Sequence, residues 1–256
     1  MTHKQIHLGQ QLRQTNNVEV GGTSVSIEGE TFYQIENYDQ MKDFFISVVS
    51  DSDHWMFIST RGGLSAGRIN SENALFPYYT DDKVSDGSPF TGSRTIALAT
   101  IDEKTSLWEP FSEQYNCIYN STRNLYKNVF GDKLIFEEIN HDLNLTFRYA
   151  WRTSDKFGFV KTSTLINTGN FAADVDIVDG IENLIPYGVE TDVQGGLSCL
   201  VDAYKKNELD ADSGLGLYSM SSILVDRAEP SEALSTTTVW SVGLSNAKKL
   251  VSSLQL

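Results

Sequence analysis

Along most of this chain, apolar and polar residues alternate with a period of two, the pattern of strands that bury one face and wet the other. Residues 134–139 and 143–149 show it most clearly, with the polar turn Asn140-His141-Asp142 between them. Residues 23–27 and 31–35 flank Glu28-Gly29-Glu30, a hairpin signal, and residues 44–50 and 55–60 flank Asp51-Ser52-Asp53-His54 in the same way. The β-branched and aromatic content of 44–50 favours a strand over a helix continuing from Tyr38. Residues 157–166, 173–178, 216–225 and 236–244 continue the series. One segment has helical spacing instead: Leu197, Leu200, Val201 and Tyr204 recur on one face, and Lys205 and Lys206 follow where cations suit a helix C-terminus. With no tandem repeat and no low-complexity linker, the pattern predicts one mainly all-β, antiparallel domain over residues 1–256, with one or two short helices.

Composition narrows the partners. A chain of 256 residues, 40% hydrophobic and 11% aromatic, can bury a large core as a single sandwich. Its net charge of −14 excludes nucleic acid as a partner and disfavours an anionic membrane surface. No apolar run approaches the ~20 residues that cross a bilayer, and the first residues lack the apolar core of a signal peptide. Cys117 and Cys199 are too few for a disulfide framework and read as buried structural thiols. These features together point to the cytoplasm. The apolar ending around Leu250, Val251, Leu254 and Leu256 reads as the N-terminal part of a longer protein, because natural ends are usually polar.

Metal and nucleotide chemistry find little support. No H-E-x-x-H, C-x-x-C or P-loop pattern occurs, so neither a cofactor nor a metal is expected. The turn beginning at Asp210 resembles a calcium loop but has Ser221 at its twelfth position, and the one at Asp82 has Val84 where an oxygen ligand belongs. His54 and His141 fall in predicted turns. Glu182 and Glu190, with Asp179 and Asp192, lead into the predicted helix, where its dipole favours acids.

The strongest functional signal is the stretch Ser59-Thr60-Arg61-Gly62-Gly63-Leu64-Ser65-Ala66-Gly67-Arg68 and the polar, aromatic segment after it, which runs to Arg94. Glycines permit close backbone approach, and guanidiniums suit oxygen-rich partners. Aromatic rings match the apolar face of a sugar, and carboxylates match its hydroxyls. Arg61, Arg68, Tyr78, Tyr79, Asp81, Asp82 and Arg94 are therefore the candidate carbohydrate-binding residues. The competing reading is a long irregular surface loop.

The order of these motifs resembles a known family. Gly62-Gly63-Leu64-Ser65, Tyr78-Tyr79, an Asp-rich turn, Arg94 and Trp108-Glu109-Pro110 resemble the N-terminal β-supersandwich of cellobiose-phosphorylase-type glycoside phosphorylases and hydrolases. Phe157-Gly158-Phe159-Val160, followed by Leu165-Ile166-Asn167-Thr168-Gly169, is similar to a later pattern of that domain; the likeness covers roughly residues 40 to 180. It implies a galactose-mutarotase-like fold, a saccharide as ligand, and a C-terminal helical catalytic domain of the same protein, which carries the catalytic acid. It also implies homodimer contacts, and an isolated chain that supports a glycan site without being active. The alternatives are a free-standing aldose epimerase of mutarotase type, which needs a His/Glu set on strands lining a cleft, and a non-enzymatic glycan-binding module.

Overall fold

The structure, a computed structural model, describes residues 6–13, 18–77, 83–224 and 235–252. The chain opens with a short hairpin, β1 (His7–Leu8) and β2 (Gln11–Leu12). There follow β3 (Gly21–Ile27), β4 (Glu30–Glu36), β5 (Phe45–Val48), β6 (His54–Ser59), β7 (Leu64–Arg68), β8 (Gly92–Ile101), β9 (Lys104–Trp108), β10 (Ser121–Asn128), β11 (Lys133–Asn140), β12 (Leu145–Ser154), β13 (Gly158–Asn167) and β14 (Asp174–Glu182). Two helices, α1 (Thr191–Gly196) and α2 (Ser198–Tyr204), lead to β15 (Lys205–Asp210), β16 (Leu215–Met220) and β17 (Thr236–Val239). The fold is all-β and sandwich-type, as the alternation predicts.

A six-stranded sheet in the order β13-β12-β11-β10-β4-β3 forms one side. Three-stranded sheets β5-β6-β7 and β14-β8-β9 face it, and β15-β16-β17 forms another. Among the described residues every strand pairing is antiparallel. Residues two apart on a strand share a face, so Leu125, Leu134, Phe136, Phe147, Tyr149 and Trp151 meet Met56, Ile58, Leu64, Ala97 and Trp108 in one core. The register sets Leu125 opposite Phe136 and Phe136 opposite Tyr149, and the last two rings stack at 4.8 Å. The other face of the large sheet carries a satellite cluster of Phe32, Tyr126 and Ile135. A third cluster, Ile185, Val189 and Met220 with Val193 and Val201, seats both helices beside β16.

The structure departs from the sequence reading in several places. Residues 64–68 form β7 rather than an irregular surface loop, and Ser65 and Ala66 are 0% exposed. The glycines around it do permit a close approach, but to the chain itself. A Cβ on Gly63 would lie 2.3 Å from the Val84 carbonyl oxygen, and one on Gly67 would lie 2.6 Å from both Trp55 Cζ2 and the Asn73 carbonyl oxygen. Helix α2 matches the predicted helix, and α1 precedes it where a loop is expected. β16 and β17 stop at Met220 and Val239, short of the predicted ends. Both cysteines are free thiols; Cys117 is half-buried and Cys199 is exposed rather than buried. Among the described residues, no helix is long and apolar enough to cross a membrane.

Candidate functional site

The turn between β6 and β7 is closed by Gly62 N–H donating to the Ser59 carbonyl and Ser59 N–H to the Gly63 carbonyl, with Gly62 at φ +86°. A side chain there would be strained, so glycine is the residue that allows so tight a reversal. Arg61 stands at the tip. Its Nε reaches the Asp43 carboxylate and lies 3.0 Å from Glu113 Oε1. β8 begins against this turn, since a Cβ on Gly92 would fall 2.6 Å from the Gly62 carbonyl oxygen.

Two residues further along β8, Arg94 spreads its guanidinium over three acceptors. Nη1 pairs with Glu109, Nε donates to Glu182 Oε2 at 3.3 Å, and Nη2 donates to the Pro89 carbonyl at 2.9 Å. Glu109 and Glu113 both lie in the loop that follows β9. That loop therefore joins Arg61 and Arg94 at one end of the sandwich. Arg68 sits elsewhere. It ends β7 opposite His54 and grips Asp53 at 3.0 and 3.1 Å. The length of β7 separates it from the Arg61 turn, about 13 Å for four steps along a strand. Tyr78, Tyr79, Asp81 and Asp82 lie outside the described residues.

A buried ion pair holds the loop. Glu138, 3% exposed, accepts from Trp108 Nε1 at 2.8 Å, from Arg123 Nε at 2.8 Å and from the Phe111 N–H at 2.7 Å. Arg123 Nη2 also donates to the Ser112 carbonyl at 3.0 Å. All three residues of the Trp108-Glu109-Pro110 motif thus have structural work: Trp108 anchors to Glu138, Glu109 meets Arg94, and Pro110 is buried.

Beside Arg94, Lys161 crosses from β13 to β14. Its Nζ donates to Asp179 Oδ1 at 2.7 Å and to the Gly180 carbonyl at 3.0 Å, while Thr95 Oγ1 donates to the same Asp179 oxygen at 2.6 Å. Burial lowers the Lys161 ammonium below the usual lysine range, and Asp179 opposes that shift. Burial also pushes the Tyr149 hydroxyl well above its usual value; that hydroxyl lies under the Gly62 turn.

Chemically, this end offers guanidinium N–H donors beside carboxylate acceptors in a fixed arrangement. Neither Glu109 nor Glu182 stands in the apolar pocket that a general acid for glycosidic cleavage needs, because both face Arg94. Among the described residues, no group of three or more His, Cys, Asp or Glu side chains is placed to hold a metal ion. His54 opens β6 rather than lying in a turn; its ring packs edge-on to Phe159 at 5.1 Å and its Nδ1 is 2.7 Å from Ser52 Oγ. His141 does lie in a turn, with Nε2 2.8 Å from Thr122 Oγ1.

Sequence reasoning missed a second polar centre on the outer face of the large sheet. Glu137, 2% exposed, accepts from Asn124 Nδ2 at 2.8 Å and from the Tyr126 hydroxyl at 2.7 Å, and it pairs with Arg148. Register creates it, by setting Asn124 opposite Glu137 and Glu137 opposite Arg148. Burial raises the Tyr126 hydroxyl above its ordinary range, and the bond to Glu137 adds to that. An epimerase needs an acid and a base within reach of one sugar ring. His141 lies four positions beyond Glu137, in the turn past the end of β11.

A scan against protein-family models finds none that matches, and a search of the curated proteins finds no match either.

Proposed function

We infer that this chain is a carbohydrate-associated β-sandwich domain, shaping and supporting a saccharide site at the Arg61 and Arg94 end without supplying the catalytic acid. One observation carries the reading: the loop after β9 presents Glu109 to Arg94 and Glu113 to Arg61, so both charged pairs occupy one edge. The side chains of Arg61, Glu113, Arg94 and Glu182 are 46, 54, 38 and 42% exposed, so a ligand can reach them. Sugar hydroxyls would accept from the unused guanidinium N–H groups and donate to free carboxylate lone pairs. Tyr78, Tyr79, Asp81 and Asp82 belong to the proposal through their sequence alone, as stacking rings and acceptors. The catalytic acid belongs, in this reading, to a following helical domain of a cytoplasmic glycoside hydrolase or phosphorylase.

Titration calorimetry of the chain with glucose, cellobiose, maltose and xylobiose tests this. A disaccharide should bind, Arg61→Ala and Arg94→Ala should abolish the heat, and Arg68→Ala should not. Silence across the panel at millimolar sugar, or loss of binding in Arg68→Ala alone, overturns the site. Turnover of an aryl glycoside by the chain, abolished at a single carboxylate, overturns the supporting role.

A further inference from the structure

One corner of the sandwich is open. β3 ends the six-stranded sheet and β5 ends the sheet facing it. Near these two edges runs a groove of about 410 Å³, whose lining includes Tyr33, Ile35, Phe44, Ile46, Leu125 and Lys127. Ile35, Phe44 and Ile46 also pack against the main core, so the groove opens onto the interior of the sandwich. Val129, which lines it, is 72% exposed, and the next residue in the chain, Phe130, is 80% exposed.

Lys127 is out of place in such surroundings. It lies on β10 two residues from Leu125, on the same face, opposite Tyr33. It is half-buried, and its ammonium rests beside Gly131. No carboxylate pairs with it among the described residues, in a chain with 34 acidic and 20 basic side chains. The acids of this corner are engaged elsewhere: Glu30 binds Asn128 and Lys133, and Asp132 binds Asn128. A half-buried lysine with no carboxylate partner among the described residues leaves its ammonium available to an anion.

We propose that this groove binds a free medium-chain monocarboxylate. The acyl chain lies against Ile35, Ile46 and Leu125, and the carboxylate pairs with Lys127 Nζ. A groove of this size has room for an acyl chain of medium length. The apolar lining supplies affinity and the lone ammonium selects the charge of the head group. This site is independent of the saccharide reading.

The test is titration calorimetry of the full chain with decanoate, with decanol, decylamine and acetate as comparators. Decanoate should bind one to one, and affinity should rise about fourfold per methylene from hexanoate to decanoate. Lys127→Met keeps the apolar stem and should weaken decanoate at least tenfold while leaving decanol unchanged; Lys127→Arg should restore decanoate. Cellobiose binding should be indifferent to Lys127→Met, which separates this site from the sugar site. Should Lys127→Met fail to fold, the preference of the wild-type chain for decanoate over decylamine decides. Equal affinity for decylamine, full decanoate affinity in a folded Lys127→Met, or no uptake of any amphiphile overturns the proposal. So does concentration-dependent dimerisation that Phe130→Asp abolishes without any decanoate uptake, which would assign the groove to a second copy of the chain.

Discussion

Glu138 gathers three donors inside the sandwich: an indole N–H, a guanidinium and a backbone amide. A carboxylate can accept all three at once, and an amide cannot. Glu138→Gln would turn an NH₂ group toward at least one of those donors and leave Arg123 charged and buried. Removing one partner of a buried pair costs about 3–5 kcal/mol, so urea unfolding of this variant should show a loss of that order. Arg94→Ala, by contrast, removes a 38% exposed guanidinium and its pairs with Glu109 and Glu182, and exposed pairs are usually worth no more than ~1 kcal/mol each. The contrast separates a buried pair that sets the loop in place from a half-exposed guanidinium at the surface of that loop.

At the scale of elements, the β6–β7 hairpin shows how glycine positions decide packing. Gly63 meets the backbone of residues 84 and 88, and Gly67 meets the Trp55 ring and the backbone of residues 73 and 74. Backbone cannot swing aside as a flexible side chain can, so an added methyl forces the hairpin away from its neighbours. Overpacking of this kind costs typically 1–3 kcal/mol and occasionally more. Gly63→Ala and Gly67→Ala should each lower the melting temperature. Gly180, on β14, is the control: its Cβ would meet nothing within 4 Å, so Gly180→Ala should change stability by no more than ~0.5 kcal/mol. A tolerant Gly63→Ala would mean that the turn does not pack on residues 84 to 88 as described.

Across the whole molecule, Lys161 is a tie between sheets, reaching from β13 in the large sheet to Asp179 on β14. Because burial lowers its ammonium below the ordinary 10.5, the unfolded chain binds this proton more readily than the folded one. Stability therefore rises with pH between the folded value and 10.5, since stability climbs wherever the unfolded state holds more protons. Buried Tyr38 and Tyr149 act in the opposite sense as pH passes 10, because their folded values are raised. Comparing wild type with Lys161→Met at each pH removes that contribution. The stability difference between the two should change in favour of wild type as pH rises toward 10.5, and a constant difference would show that Lys161 keeps its ordinary value.

The sequence by itself determined the class of fold and many of its pieces. Phe136 against Glu137 and Phe147 against Arg148 announce two-faced strands, and the recurrence of Leu197, Val201 and Tyr204 announces α2, because side-chain direction follows directly from backbone period. β10 was not legible. Arg123 and Asn124 are buried on opposite faces, and polar residues on both faces erase the alternation. Their burial is stable only because Glu138 and Glu137 lie opposite them on β11, a pairing that register creates. Residues 59–94 announced glycines that need close contact and arginines that need acceptors, without saying which. Tertiary structure decided that the contacts of Gly63 and Gly67 are internal. It also brought Arg61 and Arg94 to one loop while leaving Arg68 at the far end of β7. Local pattern fixes which way a side chain points along its own strand, whereas which charges meet depends on how distant strands close together, and that is decided only by the packed core.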